Sequence, residues 1–281
     1  MDPNSHLWWK SIFEPADCRT AIRSCKAPIL NLRRVPWAGY TNKMKIAILL
    51  VATGRFYRHF LNPIIPQIEE LFTTHPKDIF LVSDLPKCPG VHEVLHVEHL
   101  PVPLPSLLRY HWICRLRTRL LEYDYLYYLD VDAEILKLIG DEILRPLIAV
   151  RHWCWPKREL TTHATFETRP ESLAYVDPQT AAGYFHGSFQ GGETRHFLRA
   201  ARILRDRINE DLTNRGKGRG GMIAVWYDES HWNRFVNENF DLFHVLGPEY
   251  ASAWTSSPES SIPFIRLRCK DEERLWSWSE E

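Results

Sequence analysis

The segment YDYLYYLDVDAEIL, residues 123–136, restricts the fold more than any other part of the chain. Six of the seven residues from Tyr123 to Leu129 are apolar or aromatic, the composition of a strand covered on both faces. The run then ends in Asp130 and Asp132, with Val131 between them. Where a strand leaves its sheet strict alternation lapses, so both carboxylates reach the same surface. Two hard oxygen ligands so placed suit Mg²⁺ or Mn²⁺, ions that complete their shell with substrate phosphates. Alone, Asp-x-Asp is equally the solvated end of a strand.

Upstream, KIAILLVATGRF reads as a buried strand delivering a tight loop at Thr53-Gly54. FLNPIIPQIEELF follows with helical spacing despite its prolines, and DIFLVSD is a second buried run, ending in Asp84. Strand, helix, strand begins an open α/β sheet, in which ligands bind beyond the carboxyl ends of the strands. VHEVLHVEHLPVPLP reads as a strand with a proline-rich exit, and SLLRYHWICRLRTRLLEY as one helix carrying Arg109, Arg115, Arg117 and Arg119. ETRPESLAYVDPQTAAGYFHGSFQGG is loop-like, ETRHFLRAARILRDRI is a helix, and NRGKGRGG reads as a flexible segment. Residues 1–43 are polar and proline-bearing without a sustained period, an N-terminal arm ahead of one domain over 44–281.

Thirty-five basic residues balance 35 acidic ones, so the overall charge gives no argument for nucleic acid or an anionic membrane as partner. The six cysteines include no CxxC pair, which leaves neither a zinc site nor a dense disulfide framework indicated; most are expected to be reduced and buried. The longest apolar run, Ile46 to Ala52, is far short of the roughly 20 residues of a membrane helix, and the first residues lack a signal pattern. A soluble chain is expected. Eleven tryptophans and 11 tyrosines are many for 281 residues; most serve packing, but some offer faces on which sugar rings stack.

VATGRF, LLRYHW, YLDVDAE, PLIAVRHW, ETRPESLAYV, GYFHGSFQGG and AVWYDESHWN follow one another in an order and spacing that resembles the retaining glycosyltransferases of family six. The resemblance runs over about residues 44–272, and WYDESHWN with the F-x-G-G motif carries more of it than Asp-x-Asp. It implies a GT-A type nucleotide-sugar-binding fold: one Rossmann-like α/β domain with a mixed central sheet. It further implies transfer of galactose, or N-acetylgalactosamine, from a UDP-sugar to a galactoside or fucosylated galactoside in α-1,3 linkage. By the same resemblance Asp130 and Asp132 hold Mn²⁺ on the diphosphate, with Val131 between them at the donor. Val51, Ala52, Thr53 and Phe56 line the uridine pocket. Arg109 reaches the donor sugar and Asp130, with Arg115 the weaker alternative.

His186, Gly187 and Ser188 occupy the triplet that discriminates donors at the second sugar carbon. Histidine there resembles the galactose-using members, because a larger side chain leaves less room for an acetamido group; Ser188 departs from the expected alanine or glycine. By the same resemblance, Trp226 packs on the acceptor, Asp228 touches the donor sugar, and Glu229 lies under the anomeric carbon, as nucleophile or as stabiliser of an oxocarbenium-like centre. Tyr227 stands where the family usually has histidine, a departure from its pattern. His152 resembles the histidine opening the acceptor loop, and Lys270 the tail lysine on the diphosphate. Vertebrate members carry a Golgi anchor and none is seen here, so a cytoplasmic microbial or viral enzyme is expected, with an excised Golgi lumenal domain as the alternative. A UDP-sugar hydrolase and a non-catalytic carbohydrate-binding protein are the rival readings.

Overall fold

The computed structural model describes residues 44–154, 164–213, 221–253 and 262–268. The N-terminal arm, most of the glycine-rich NRGKGRGG stretch and Lys270 lie outside these. All described residues fall in a single unit, Asn42–Glu281.

Continuous apolar runs become the sheet's central strands because both their faces are covered. β1 (Ile46–Val51), β2 (Lys77–Ser83) and β4 (Tyr125–Leu129) are those runs, and β1 pairs in parallel with both β2 and β4. β3 (Glu93–His96) adds a parallel edge. β7 (Phe185–Glu193) then pairs antiparallel with β4 and β6 (Leu147–Arg151), and β8 (His244–Leu246) closes the far edge. The order β3-β2-β1-β4-β7-β6-β8 makes a seven-stranded mixed sheet. This is the expected mixed α/β architecture of the GT-A type. A second sheet joins β5 (Ala133–Ile135), β9 (Ser252–Ala253) and β10 (Ile265–Leu267).

FLNPIIPQIEELF is helical as expected: a π turn over Tyr57–Leu61 leads into α1 (Asn62–Leu71), whose Ile64 and Ile68 pack into the core. Two expectations need correction. The arginine-bearing helix is three short pieces, α2 (Leu104–Leu107), α3 (Arg109–Arg115) and α4 (Arg117–Leu120). The last third of the loop-like stretch is not loop: FHGSFQGGE is β7, with seven of its nine residues buried and the other two half-buried among other strands. Its composition conceals this, since an ideal Cβ at Gly191 would meet Leu126 O at 2.4 Å and one at Gly192 would meet Pro146 O at 2.4 Å. Only glycine admits the neighbouring backbones so closely. α5 (Thr194–Thr213) and α6 (Tyr227–Glu238) then pack on the sheet and on each other.

One irregularity positions the site. Between Ala149 and Val150 the register of β6 on β7 jumps from Gln190 to His186, so Gly187, Ser188 and Phe189 bulge out of that ladder while β4 stays paired at Phe189. Bulges re-aim side chains and backbone groups, and here the bulge takes in Gly187 and Ser188, two of the expected donor-reading triplet, with His186 paired to Val150 at its edge.

Candidate active site

The carboxyl ends of β1 and β4 open into one cleft, lined by Val51, Thr53, Phe56, Arg109, Asp130, Val131 and Asp132. Seven residues assigned to the donor from sequence are thus brought together. Ala52 is not among them: it is fully buried, its amide bonded to Val82 O at 2.9 Å. His99, Tyr128 and Tyr227 also line the cleft and were not assigned to the donor.

The first loop is held by Asp84, at the end of β2, whose carboxylate accepts the Gly54 amide at 3.1 Å. Gly54 has φ +59° and the His99 ring stands 2.5 Å from where its Cβ would be, so conformation and space both demand glycine. His99 Nδ1 lies 3.1 Å from Thr53 Oγ1.

Arg109 organises the centre. It is buried, and its guanidinium meets three groups from three elements: Asp130 Oδ1 at 3.2 Å, Asp228 Oδ2 at 3.0 Å and the Gly187 carbonyl at 2.5 Å. It also sits 4.0 Å from the centroid of the Tyr128 ring, a cation–π contact. Burial alone would weaken its hold on the proton, but Asp228, Tyr128 and Asp130 reverse this and leave it firmly charged. Tyr128 in turn donates to Asp130 Oδ1 at 2.5 Å. Arg115 is exposed, which removes it as the alternative; Arg117 and Arg119 are exposed too. Asp228 is buried against Arg109 and does not line the cleft.

Glu229 sits under the bulge. Its Oε2 accepts the Gly187 amide at 2.7 Å and its Oε1 the Tyr184 hydroxyl at 3.1 Å. Burial, with the neighbouring Asp228 charge, pushes its carboxyl up to about 7 against the opposing effect of the Gly187 hydrogen bond. His186 lies alongside, Nδ1 3.8 Å from Glu229 Oε2, and stacks on His152 with centroids 4.6 Å apart and planes 5° from parallel. Burial, with an unfavourable electrostatic contribution from the adjoining His186, pushes His152 down to about 3, so it is neutral at ordinary pH. Ser188 places its carbonyl on the Asp130 amide at 2.8 Å, while its Oγ is buried without a hydrogen-bond partner among the described residues.

The residues expected on the acceptor side include an open aromatic surface. Trp226 and Trp153 are 46% and 43% exposed, unlike Trp232, which is fully buried in the core. Tyr227 has φ +52°, a strained conformation for an aromatic residue, and it lines the Asp130 cleft. Tyr184, Tyr128 and His99 were missed because nothing in their local sequence marks them; Asp84 had a signal, its place at a strand's carboxyl end.

The residues present fit a divalent cation in part. Asp130 Oδ1 is committed to Tyr128 and Arg109, which leaves Oδ2, and Asp132 lines the same cleft. Among the described residues no group of three or more His, Cys, Asp or Glu could hold a metal. That donor set suits an ion whose remaining ligands are phosphate oxygens and water, not a closed protein cage.

The sequence profile of Glycosyltransferase family 6 matches residues 106–276, more than half of the chain. The chain belongs to glycosyltransferase family 6. Rat histo-blood group ABO system transferase 2 is 34% identical over 133 residues, 46% of this chain and 36% of that protein. Human globoside alpha-1,3-N-acetylgalactosaminyltransferase 1 is 27% identical over 248 residues, covering 82% of this chain and 67% of the other. The O-antigen biosynthesis glycosyltransferase WbnI of Escherichia coli is 26% identical over 203 residues, 70% and 83% respectively. The chain thus spans about a third of the length of the rat relative it matches and more of the other two. In this family-6 chain no described helix is long and apolar enough to cross a membrane.

Proposed function

We propose that this family-6 chain is a hexosyltransferase that moves galactose, or N-acetylgalactosamine, from a UDP-sugar to a galactoside or fucosylated galactoside in α-1,3 linkage, with retention. The observation that carries this reading is the Arg109 junction: one buried guanidinium joins the Asp130 cleft to Asp228 and to the Gly187 carbonyl beside Glu229. A phosphate-holding cleft and a carboxylate placed for an anomeric carbon are thereby fixed in one rigid geometry, which is what group transfer requires.

In this reading Val51, Thr53 and Phe56 bind the base, and Asp130 and Asp132 hold Mn²⁺ on the diphosphate. Bound there, the metal neutralises the leaving UDP. Arg109 fixes Asp130 and reaches the donor, and Lys270 adds a cation from the tail. Glu229, braced by Tyr184 and Gly187, either attacks the anomeric carbon or stabilises positive charge on it while the acceptor hydroxyl attacks; both roles need its carboxylate form. Trp226 carries the acceptor ring. His152, stacked on His186, meets the acceptor beside the donor-reading wall.

The test is UDP release from UDP-galactose and UDP-N-acetylgalactosamine, with and without Mn²⁺, and with lactose, a fucosylated galactoside or no acceptor. Release that needs metal and acceptor supports the transferase. Release with water alone would replace it with a hydrolase, and no release would leave a binding protein.

A further inference from the structure

We propose that Glu167 is a positioning residue for the acceptor: with Arg169 it pins the segment 223–226 and so fixes the angle of the Trp226 indole. The inference rests on the acceptor role given to Trp226 above. Its basis is how that segment is held. Ile223, Val225 and Trp226 are 39%, 47% and 46% exposed, so apolar packing does little to fix them. Polar contacts do the fixing instead.

Glu167 is only 2% exposed, and both of its oxygens are used. Oε2 accepts the Val225 amide at 3.0 Å. Oε1 accepts the Arg169 amide at 2.9 Å and its Nε–H at 2.8 Å, and the guanidinium also donates to Oε2. The same guanidinium nitrogen reaches on to the Ile223 carbonyl at 2.7 Å. Three residues after Ile223 the Trp226 ring nitrogen donates to Thr165 Oγ1 at 2.6 Å. The 165–169 stretch and the 223–226 stretch are therefore joined at three successive points.

Attachment alone does not require this clamp. A separate latch already secures the base of the segment: the Met222 amide bonds to Asp211 O at 2.8 Å, and the Asp211 carboxylate accepts Ser172 Oγ at 2.7 Å and the Leu173 amide at 3.0 Å. The Glu167 clamp lies further along the chain, next to the indole, where what remains to be set is direction. A buried carboxylate is costly unless every lone pair is answered, and this one is answered chiefly by the groups that aim Trp226.

The test is Glu167→Gln, which keeps the volume but turns an NH₂ toward donors, with Arg169→Lys as a milder second variant and Ser172→Ala as a control on the other latch. Acceptor KM is expected to rise about tenfold or more with kcat, donor KM and acceptor-free UDP release within about twofold, the pattern of lost uniform binding. Hydrogen exchange at the Val225 and Trp226 amides should quicken in the same variants. An unmoved acceptor KM overturns the proposal, and so does an equal fall in acceptor-free release or the same rise in Ser172→Ala. A wild type that releases no UDP and binds no galactoside by calorimetry sinks the transferase reading and this inference with it, whereas a working wild type with an unmoved KM sinks this inference alone.

Discussion

The Gly187 amide donates to Glu229 Oε2 at 2.7 Å, and the same glycine has no room for a side chain: an ideal Cβ there would stand 3.1 Å from that oxygen and 3.2 Å from Glu229 Cβ. Gly187→Ala must therefore displace the carboxylate by a few tenths of an ångström, with the hydrogen bond moving too. Small misplacement of a reacting group costs on the order of tenfold to a hundredfold in rate. The expected outcome is that loss in kcat, with UDP affinity by calorimetry unchanged because the Asp130 cleft is untouched.

The raised Glu229 carboxyl sets a pH dependence. Its folded value, about 7, lies above its ordinary carboxylate value, so in the folded protein it is neutral below about 7 and charged above. A mechanism that uses the carboxylate then shows kcat/KM rising with pH through that region, since this ratio reports the free enzyme. Stability runs the other way. The folded state binds the proton more tightly, so this group's contribution is fully present below the unfolded carboxylate value and is lost as pH rises through about 7. Glu229→Gln can keep both partners, accepting from Gly187 and donating to Tyr184, and removes the charge. Its melting temperature should exceed that of the wild type at pH 8 and match it at pH 5.

Arg109 is buried between two carboxylates and a carbonyl, and its removal breaks a buried ion pair with Asp228, itself 3% exposed. Arg109→Met should cost about 3–5 kcal/mol in a urea titration, the penalty of breaking a buried pair from one side. Arg109→Lys keeps the charge but not the fork that reaches three partners, so a smaller stability loss should accompany an equally large loss of UDP release.

How much of this was legible in the sequence follows from where the information sits. β1, β2 and β4 were readable because a strand covered on both faces must be apolar without interruption, and the Asp130 cleft because a strand end is marked by the residue that ends it. β7 was not readable: its glycines oppose strand propensity and are required by the backbones passing at 2.4 Å. The partners of Glu229 were also hidden, since Tyr184 and Gly187 reach it only after β7 has bulged out of register with β6. Tyr127 and Tyr128 are adjacent in one apolar run, yet one bonds the Ile143 carbonyl in the core and the other bonds Asp130; the pleat, not the composition, separates them.

Asp132 lines the same cleft as Asp130, whose Oδ1 is already engaged. If the pair holds Mn²⁺ with the diphosphate supplying further ligands, Asp132→Asn removes one of two charges without changing the volume. Mn²⁺ affinity measured in the presence of UDP should fall about tenfold or more, with UDP release falling in parallel and partly recovering at high Mn²⁺. Equal Mn²⁺ binding by variant and wild type would remove Asp132 from the metal site.

His186 is the last wall residue to test, because its position is fixed from two sides. Its ring stacks on His152 at 4.6 Å, and its Nδ1 accepts the Ser188 amide at 3.3 Å, so the imidazole is held as a rigid plate beside Glu229 and has little freedom to swing away from a bulkier donor. His186→Gly deletes the plate and leaves the Gly187–Glu229 bond to the backbone that already makes it. The ratio of kcat/KM for UDP-N-acetylgalactosamine to that for UDP-galactose should rise about tenfold or more, most of it from relief of the excluded acetamido group. A fall in both values with the ratio unchanged would mean that His186 supports the fold of the bulge and does not read the donor. Stability in urea separates the two, since a wall that only excludes substrate can be removed with little loss of folding free energy, whereas a structural plate cannot.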